Sequence, residues 1–231
     1  MKADKLCIQC ENCNKRSPLF ESLKEEELKI LNADRHSVRF HEGEVILKQG
    51  TRADYLVSVI EGFAKMYVEG NQNRNLILDF IKPWKMVGGP SAQVKDKHRY
   101  SVMAIQETFV CFIEMSAVRK VLASNSKFSE KFMTYCSGNY LMALDRLVSI
   151  SQKQMHGRVA DALIHLSEDV YKSTAIGEEI SRQDIAEYSS MSKDSAIRVL
   201  KEFERDRIIL LDGRRIEVLD AYRLYEISDK G

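Results

Sequence analysis

The strongest constraint on this chain is a change of period at Met115. From residue 37 to 113 the sequence runs in short β-rich stretches, SVRF, EVILKQG, YLVSVIEGFAKMYV, NLILDFI and FVCFIEM, broken by Gly43, Gly50, Gly62, Gly70 and the pair Gly88 and Gly89. Apolar, β-branched and aromatic runs bounded by glycine turns predict strands, and several in succession predict a small antiparallel barrel or roll. Ahead of it, Leu19, Phe20, Leu23, Leu28 and Leu31 recur at helical spacing, predicting an amphipathic helix over residues 17–33. After Met115 the period turns helical, with a first helix near 116–123 and a longer one from about 127 to 150. Along the longer helix Met133, Cys136, Tyr140, Leu144 and Leu147 keep the three-four spacing of a coiled-coil seam. That stripe reads as a dimer interface, against the alternative that it packs on its own roll.

At 231 residues the chain is long enough for two modest domains, and 44% apolar with 30% charged residues is the composition of a folded protein. There is no apolar run long enough to span a bilayer, and the N-terminal MKADKLCIQC lacks the apolar stretch of a signal peptide, which predicts a cytoplasmic protein without membrane contact. Five cysteines then point to thiols or metal ligands rather than a disulfide framework. Net charge is +1, and from residue 151 onward 13 Lys and Arg stand against 16 Asp and Glu. A nucleic-acid role therefore has to rest on placement, because bulk charge does not argue for it.

Placement does argue for it. GRVADALIHLSEDV predicts an amphipathic helix through Val159, Leu163 and Leu166. Ser181 followed by Asp184 has the form of a capping box at the start of a short helix, and Ser189 to Met191 read as a turn. Ser192 then caps a second helix, over about 192–207, in which Ala196, Val199, Leu200 and Phe203 face inward. Lys193, Asp194, Ser195, Ile197 and Arg198 are left outside. Two short helices joined by a turn make a helix-turn-helix. Residues 208–211, a turn at Asp212 and Gly213, and residues 215–219 predict a hairpin with Arg214 at its tip, the wing of such a motif.

Taken in this order, LFESLKEEEL, FHEGEVILKQGTRADYLVSVIEGFAKMY, GRVADALIHL, DIAEYSSMSKDSAIRVLKEFERDRII and IEVLD closely resemble the CRP/FNR superfamily of transcription regulators, over nearly everything from residue 17 onward. The resemblance is nearer to its fumarate-nitrate and haem-sensing nitrosative-stress branches than to its cyclic-AMP branch. It implies an α+β chain: a Cys-containing segment (1–16), a cyclic-nucleotide-binding-like sensor roll (17–126), a dimerisation helix (127–152) and a winged helix-turn-helix DNA-binding domain (153–231). It also implies a homodimer on a near-palindromic operator, working with RNA polymerase, with recognition helices in successive major grooves. By matched position, Asp194 accepts from a cytosine amino group and Arg198 makes a bidentate contact to guanine. Ile197 stands where the fumarate-nitrate branch often has serine and meets a thymine methyl instead. Lys193, Ser195, Lys201 and Arg214 are expected on phosphates. The turn carries Ser189 and Ser190 where relatives usually have leucine and glycine, so a strained backbone is expected there.

The effector is less determined. The region matching the nucleotide pocket reads MVGGPSAQVKDKHRYSVM: Gly88 and Gly89 persist, the glutamate of the cyclic-AMP branch is missing, and its Arg-Ser pair is interrupted as Arg99, Tyr100, Ser101. This argues against cyclic AMP. Cys7, Cys10 and Cys13 have the close spacing of iron-sulfur ligands, and Cys111 falls where the fumarate-nitrate branch keeps its distant fourth. An iron-sulfur cluster, a zinc site and uncoordinated thiols remain open readings of these cysteines. Haem, with His98, Met103 or His36 as axial ligand, is another. Cys136 on the seam reads as packing. With no dinucleotide fingerprint, phosphate loop or nucleophile motif, the chain reads as a regulator and not an enzyme. A haem or small-ligand sensor acting mainly through protein partners is the alternative.

Overall fold

The computed structural model describes residues 16–70, 74–94 and 97–231. Close contacts divide them into two compact units: residues up to Lys65 with Ile81–Tyr140, and Met66–Phe80 with Leu141–Gly231. The strand-rich stretch folds as β1 (His36–Phe40), β2 (Val45–Leu47), β3 (Tyr55–Glu61), β4 (Ala64–Val68), β5 (Leu76–Ile81), β6 (Met86–Val87), β7 (Ser101–Ala104) and β8 (Thr108–Glu114). These make two four-stranded sheets, in the orders β1-β8-β3-β6 and β2-β7-β4-β5. The short β6 and β7 and the helix α2 (Gly89–Gln93) add elements that no sequence period announced.

In the first unit β3 and β8 pair antiparallel over most of their length and are buried on both faces, which is why their sequences read as continuous apolar runs. One face closes the roll. Against the other pack Leu28 and Leu31 of α1 (Glu25–Asn32), Val118 and Val121 of α3 (Met115–Ser124), and Phe128 and Phe132 of α4 (Ser126–Gln152). Each such side chain, fully buried, contributes roughly 1.5–3 kcal/mol. Gly62 makes the β3–β4 turn at φ +90°, where a Cβ would stand 2.3 Å from the carbonyl oxygen of Glu107, so only glycine fits.

The helix expected over 17–33 is two pieces. Ser17 caps a single 3-10 turn at Pro18–Phe20, and α1 begins only after Lys24, whose N–H donates to Glu27 Oε2 at 2.7 Å. This capping bond starts a new helix, and Leu19, Phe20 and Leu23 still reach the core.

The long helix α4 has 27 residues. Its start is fixed in the first unit by Phe128, Phe132 and the Tyr135 hydroxyl, which bonds both the N–H and the carbonyl of Met86. The second unit holds α5 (Met155–Ile164), a π-helical continuation (His165–Tyr171), β9 (Ala175–Ile176), α6 (Arg182–Tyr188), α7 (Lys193–Arg205), β10 (Ile209–Asp212), β11 (Arg215–Val218) and α8 (Ala221–Lys230). Val159, Leu163, Leu166, Ile185, Val199, Phe203, Ile216 and Leu224 form its core. The third strand, β9, pairs with β11, and two residues are too few to leave a pattern in sequence. No helix among the described residues is long and apolar enough to cross a membrane.

Candidate nucleic-acid interface

The capping box at the start of α6 is present. Asp184 N–H donates to Ser181 Oγ at 3.1 Å, and Ser181 N–H returns a bond to Asp184 Oδ2 at 2.9 Å. Between α6 and α7 the chain turns through Ser190 at φ +51°, the left-handed conformation expected where relatives place glycine. Two bonds from α5 hold the strained turn. Arg158 Nη1 donates to Ser190 O at 3.1 Å, and the buried Ser189 hydroxyl donates to Arg158 O at 3.3 Å. Arg158 was invisible as a support in sequence, because its partner is a backbone carbonyl 32 residues away.

Helix α7 starts one residue after its expected cap: Ser192 Oγ accepts from Ser195 N–H at 3.2 Å. It ends at Arg205, two residues before the expected 207, because Arg207 adopts φ +57° and stops it. Ala196, Val199, Leu200 and Phe203 are at most 2% exposed. Lys193, Asp194, Arg198 and Lys201 are exposed, while Ser195 and Ile197 are half-buried on the same side. Ser195 is the least free, since its hydroxyl meets Ser192 Oγ at 2.9 Å. Farther along, His156 Nε2 lies 2.6 Å from Glu202 Oε2 and holds the Glu202 carboxyl below its ordinary pKa. That contact ties the inner edge of α7 to α5.

In the wing Asp212 pairs with Arg215, so the two turn residues are Gly213 and Arg214, one later than the expected Asp212 and Gly213. Gly213, at φ +56°, supplies the positive backbone angle that such a tight hairpin needs. Arg214 stays exposed at the tip. Two further groups brace this hairpin. Arg182, the first residue of α6, donates from Nη1 to Arg214 O at 3.0 Å and from Nη2 to Gly213 O at 2.9 Å. Glu204 of α7 accepts from Leu211 N–H at 3.2 Å. Burial pulls the Arg182 pKa down and the nearby Glu204 pulls it back up. Sequence reasoning passed over both residues, for neither breaks a pattern.

The far end of α6 is also fixed. The Arg146 guanidinium of α4 lies 3.6 Å from the ring centre of Tyr188 and donates from Nη2 to Tyr188 O and Ile77 O. His165 stacks on the same ring at 5.3 Å, and Phe80 at 5.6 Å. Desolvation lowers the Arg146 pKa and raises that of the Tyr188 phenol. The last residue of α6 is thus held by aromatic and cationic contacts before the strained turn.

Of the expected seam, Met133, Tyr140, Leu144 and Leu147 are 67%, 63%, 39% and 56% exposed in the single chain. Cys136 instead packs against the roll, where burial raises its thiol pKa. Leu141, Met142 and Val148 widen the apolar surface of α4.

The expected effector residues point different ways. Arg99 is exposed. Ser101 is fully buried and its Oγ accepts from Gln49 N–H at 2.9 Å. Gly88 and Gly89 are buried, but Gly88 N–H donates to the Tyr100 hydroxyl at 2.8 Å, and a Cβ on Gly89 would stand 2.9 Å from Leu56 Cδ1 and 3.4 Å from the Phe132 ring. The chain's own side chains, Leu56, Phe132 and Tyr100 among them, occupy the space beside the glycine pair. Cys111 is buried on β8, its Sγ accepting from Arg35 Nη1 at 3.2 Å. Cys7, Cys10 and Cys13 lie outside the described residues. Among the described residues no group of three or more His, Cys, Asp or Glu is placed to hold a metal, so they do not by themselves fit a cluster. His98 is buried with Nδ1 unpartnered and its pKa lowered by desolvation, His36 stacks on Phe112 at 4.9 Å, and Met103 is half-buried on β7.

Comparison with known proteins agrees with this geometry. Residues 37–125 match the cyclic nucleotide-binding domain and residues 157–227 the Crp-like helix-turn-helix domain. The chain is 24% identical over 224 residues to the nitrogen fixation regulation protein FixK of Bradyrhizobium diazoefficiens, covering 95% of this chain and 93% of that protein. To the transcriptional activator protein Anr of Pseudomonas protegens it is 22% identical over 190 residues, covering 80% and 78%. The solved structure of FixK2 from Bradyrhizobium japonicum superposes with a TM-score of 0.77 at 22% identity, covering 84% of this chain and 96% of that one. The relatives are transcription regulators and not enzymes. With a nucleotide-binding-type roll, a long helix and a Crp-like helix-turn-helix in that order, the chain belongs to the CRP/FNR family of DNA-binding transcription regulators.

Proposed function

We propose that this regulator acts as a homodimer in the cytoplasm, reading a near-palindromic operator and working with RNA polymerase under the control of an effector or redox signal received in the N-terminal roll. The observation that carries the reading is α7 itself. Its inner face is fully buried, while Lys193, Asp194, Arg198 and Lys201 stand exposed beside the exposed Arg214 of a braced wing. Arg198 reads guanine through its planar fork and Asp194 accepts from a cytosine amino group. Ile197 offers a methyl contact. Lys193, Ser195, Lys201 and Arg214 meet phosphates and set the register. The exposed Met133, Tyr140, Leu144 and Leu147 support pairing of two α4 helices, since an apolar row of this length is stabilised when a second copy covers it.

The aromatic filling beside Gly88 and Gly89, together with the exposed Arg99, supports an effector other than cyclic AMP. Gel-shift titration of an operator selected from random duplexes tests the assignment. Wild type binds a two-fold symmetric site, and Arg198→Ala weakens binding and relaxes preference at one base pair in each half-site. An Arg198→Ala protein with unchanged base preference refutes it.

A further inference from the structure

A concavity lies in the first unit, on residues with no part in DNA recognition. It has a volume of about 840 Å³ and is lined by Arg52, Ala53, Asp54, Tyr55, Lys97, Glu114, Ser116 and Arg119. Three chain segments meet there. The loop before β3 is bridged to Lys97 at Arg52, the end of β8 supplies Glu114, and the first turn of α3 supplies Ser116.

The charges around it are only partly spent on each other. Arg52 Nε and Asp54 Oδ1 form an ion pair at 2.8 Å, which cancels one of each sign. Arg119 is anchored by a bond from Nη2 to Ala92 O at 2.7 Å, while its Nε is buried without a partner. Among the described residues the side chains of Lys97, Tyr55, Ser116 and Glu114 make no hydrogen bond or ion pair. The cavity is therefore lined by one uncommitted cation, Lys97, by a second, Arg119, whose charge is not paired although its Nη2 is bonded to a backbone carbonyl, and by two uncommitted hydroxyls and one carboxylate. At its rim α3 begins after Glu114, with no side chain capping its first turn; Met115 N–H is taken by Asp54 O at 2.9 Å, and the N–H groups that follow lack intrahelical partners.

We propose that this cavity binds a small organic phosphate carrying hydroxyl groups. Lys97 and Arg119 supply the charge, while Tyr55, Ser116 and the first turn of α3 donate to phosphate oxygens. Glu114 accepts from a hydroxyl of the ligand, which selects a phosphate ester over a bare anion. A phosphate presents three terminal oxygens to donors where a carboxylate presents two, and so uses more of these donors than a carboxylate does. The volume leaves room for the ester's carbon skeleton beside the Tyr55 ring.

The test uses the full chain and glycerol 3-phosphate, with succinate and sodium chloride at matched ionic strength as controls. Thermal denaturation and calorimetric titration are read on wild type, Lys97→Gln and Arg119→Gln. Saturable binding to wild type is expected, about tenfold weaker in each variant, with succinate no better than chloride. Operator binding by both variants stays at the wild-type level, which shows that they are folded and separates this site from the DNA-reading assignment. No saturable binding, equal binding by the variants, or a preference for succinate overturns the proposal.

Discussion

Arg182→Ala isolates the role of the wing. In the folded chain this guanidinium spans both carbonyls of the Gly213–Arg214 turn, at 2.9 and 3.0 Å. Charge-assisted bonds are worth about 1.5–3 kcal/mol each when buried, but these are partly solvated, so about 1 kcal/mol each is the appropriate scale. Losing both leaves the hairpin tip about 2 kcal/mol less ordered, enough to change its closed-to-open ratio by a factor of roughly 30. Its strands still pair, and Leu211 is still held by Glu204. A tip that no longer dwells beside the duplex loses the phosphate contact proposed for Arg214. Each lost contact lowers the slope of log affinity against log salt by about 0.9. Fluorescence anisotropy with a labelled operator between 50 and 200 mM salt, a range of about fourfold over which this slope is readily measured, compares Arg182→Ala, Arg214→Ala and the double variant. Both single variants lose the same slope, and the double variant loses no more, because one contact has been removed by two routes. Additive losses would show that Arg182 touches the duplex itself, and an unchanged slope in Arg182→Ala would show that the brace does not position Arg214.

Four other outcomes are expected. Lys201→Ala weakens binding evenly across operator sequences, whereas Arg198→Ala changes preference at one position, and parallel selections from random duplexes distinguish them. Leu147→Glu places a charge in the exposed α4 row and shifts sedimentation from dimer towards monomer, while Lys127→Glu, outside the row, leaves it unchanged. Ser190→Gly removes the cost of a left-handed serine and raises stability in urea by roughly 0.5–1 kcal/mol, since the Arg158 bond is to the backbone and survives; a loss of stability would contradict the strain reading. His98 has a pKa held below its ordinary 6.5 by burial, so the unfolded chain takes up a proton first as pH falls. Stability is therefore full above that value and declines below it, and His98→Phe flattens the fall in melting temperature between about pH 7.5 and 5.5.

Much of this architecture was legible in the sequence because it depends on local period. Val199, Leu200 and Phe203 could bury together only on one side of a helix, and the capping box of Ser181 with Asp184 marks a helix start wherever it occurs. The exposed row of α4 could likewise be read from its spacing, save for Cys136, whose place beside the roll depends on where Phe132 and Tyr135 anchor the helix. The wing slipped by one residue because Asp212 can serve either as a turn residue or as the partner of Arg215, and only the pairing of Ile209 with Val218 sets that register.

Local order along the chain determined the succession of roll, long helix, helix-turn-helix and wing, and the side chains that α7 turns outward. Tertiary structure alone decided what holds these parts in place. Arg158 under the turn, Arg182 across the wing and Arg146 over Tyr188 all act through backbone carbonyls or rings distant in sequence. A carbonyl is common to every residue, so a bond to one leaves no trace in composition or spacing. Arg99 and Ser101 show the same limit: the sequence gives an interrupted pair two residues apart, and only the fold shows that one is exposed and the other buried.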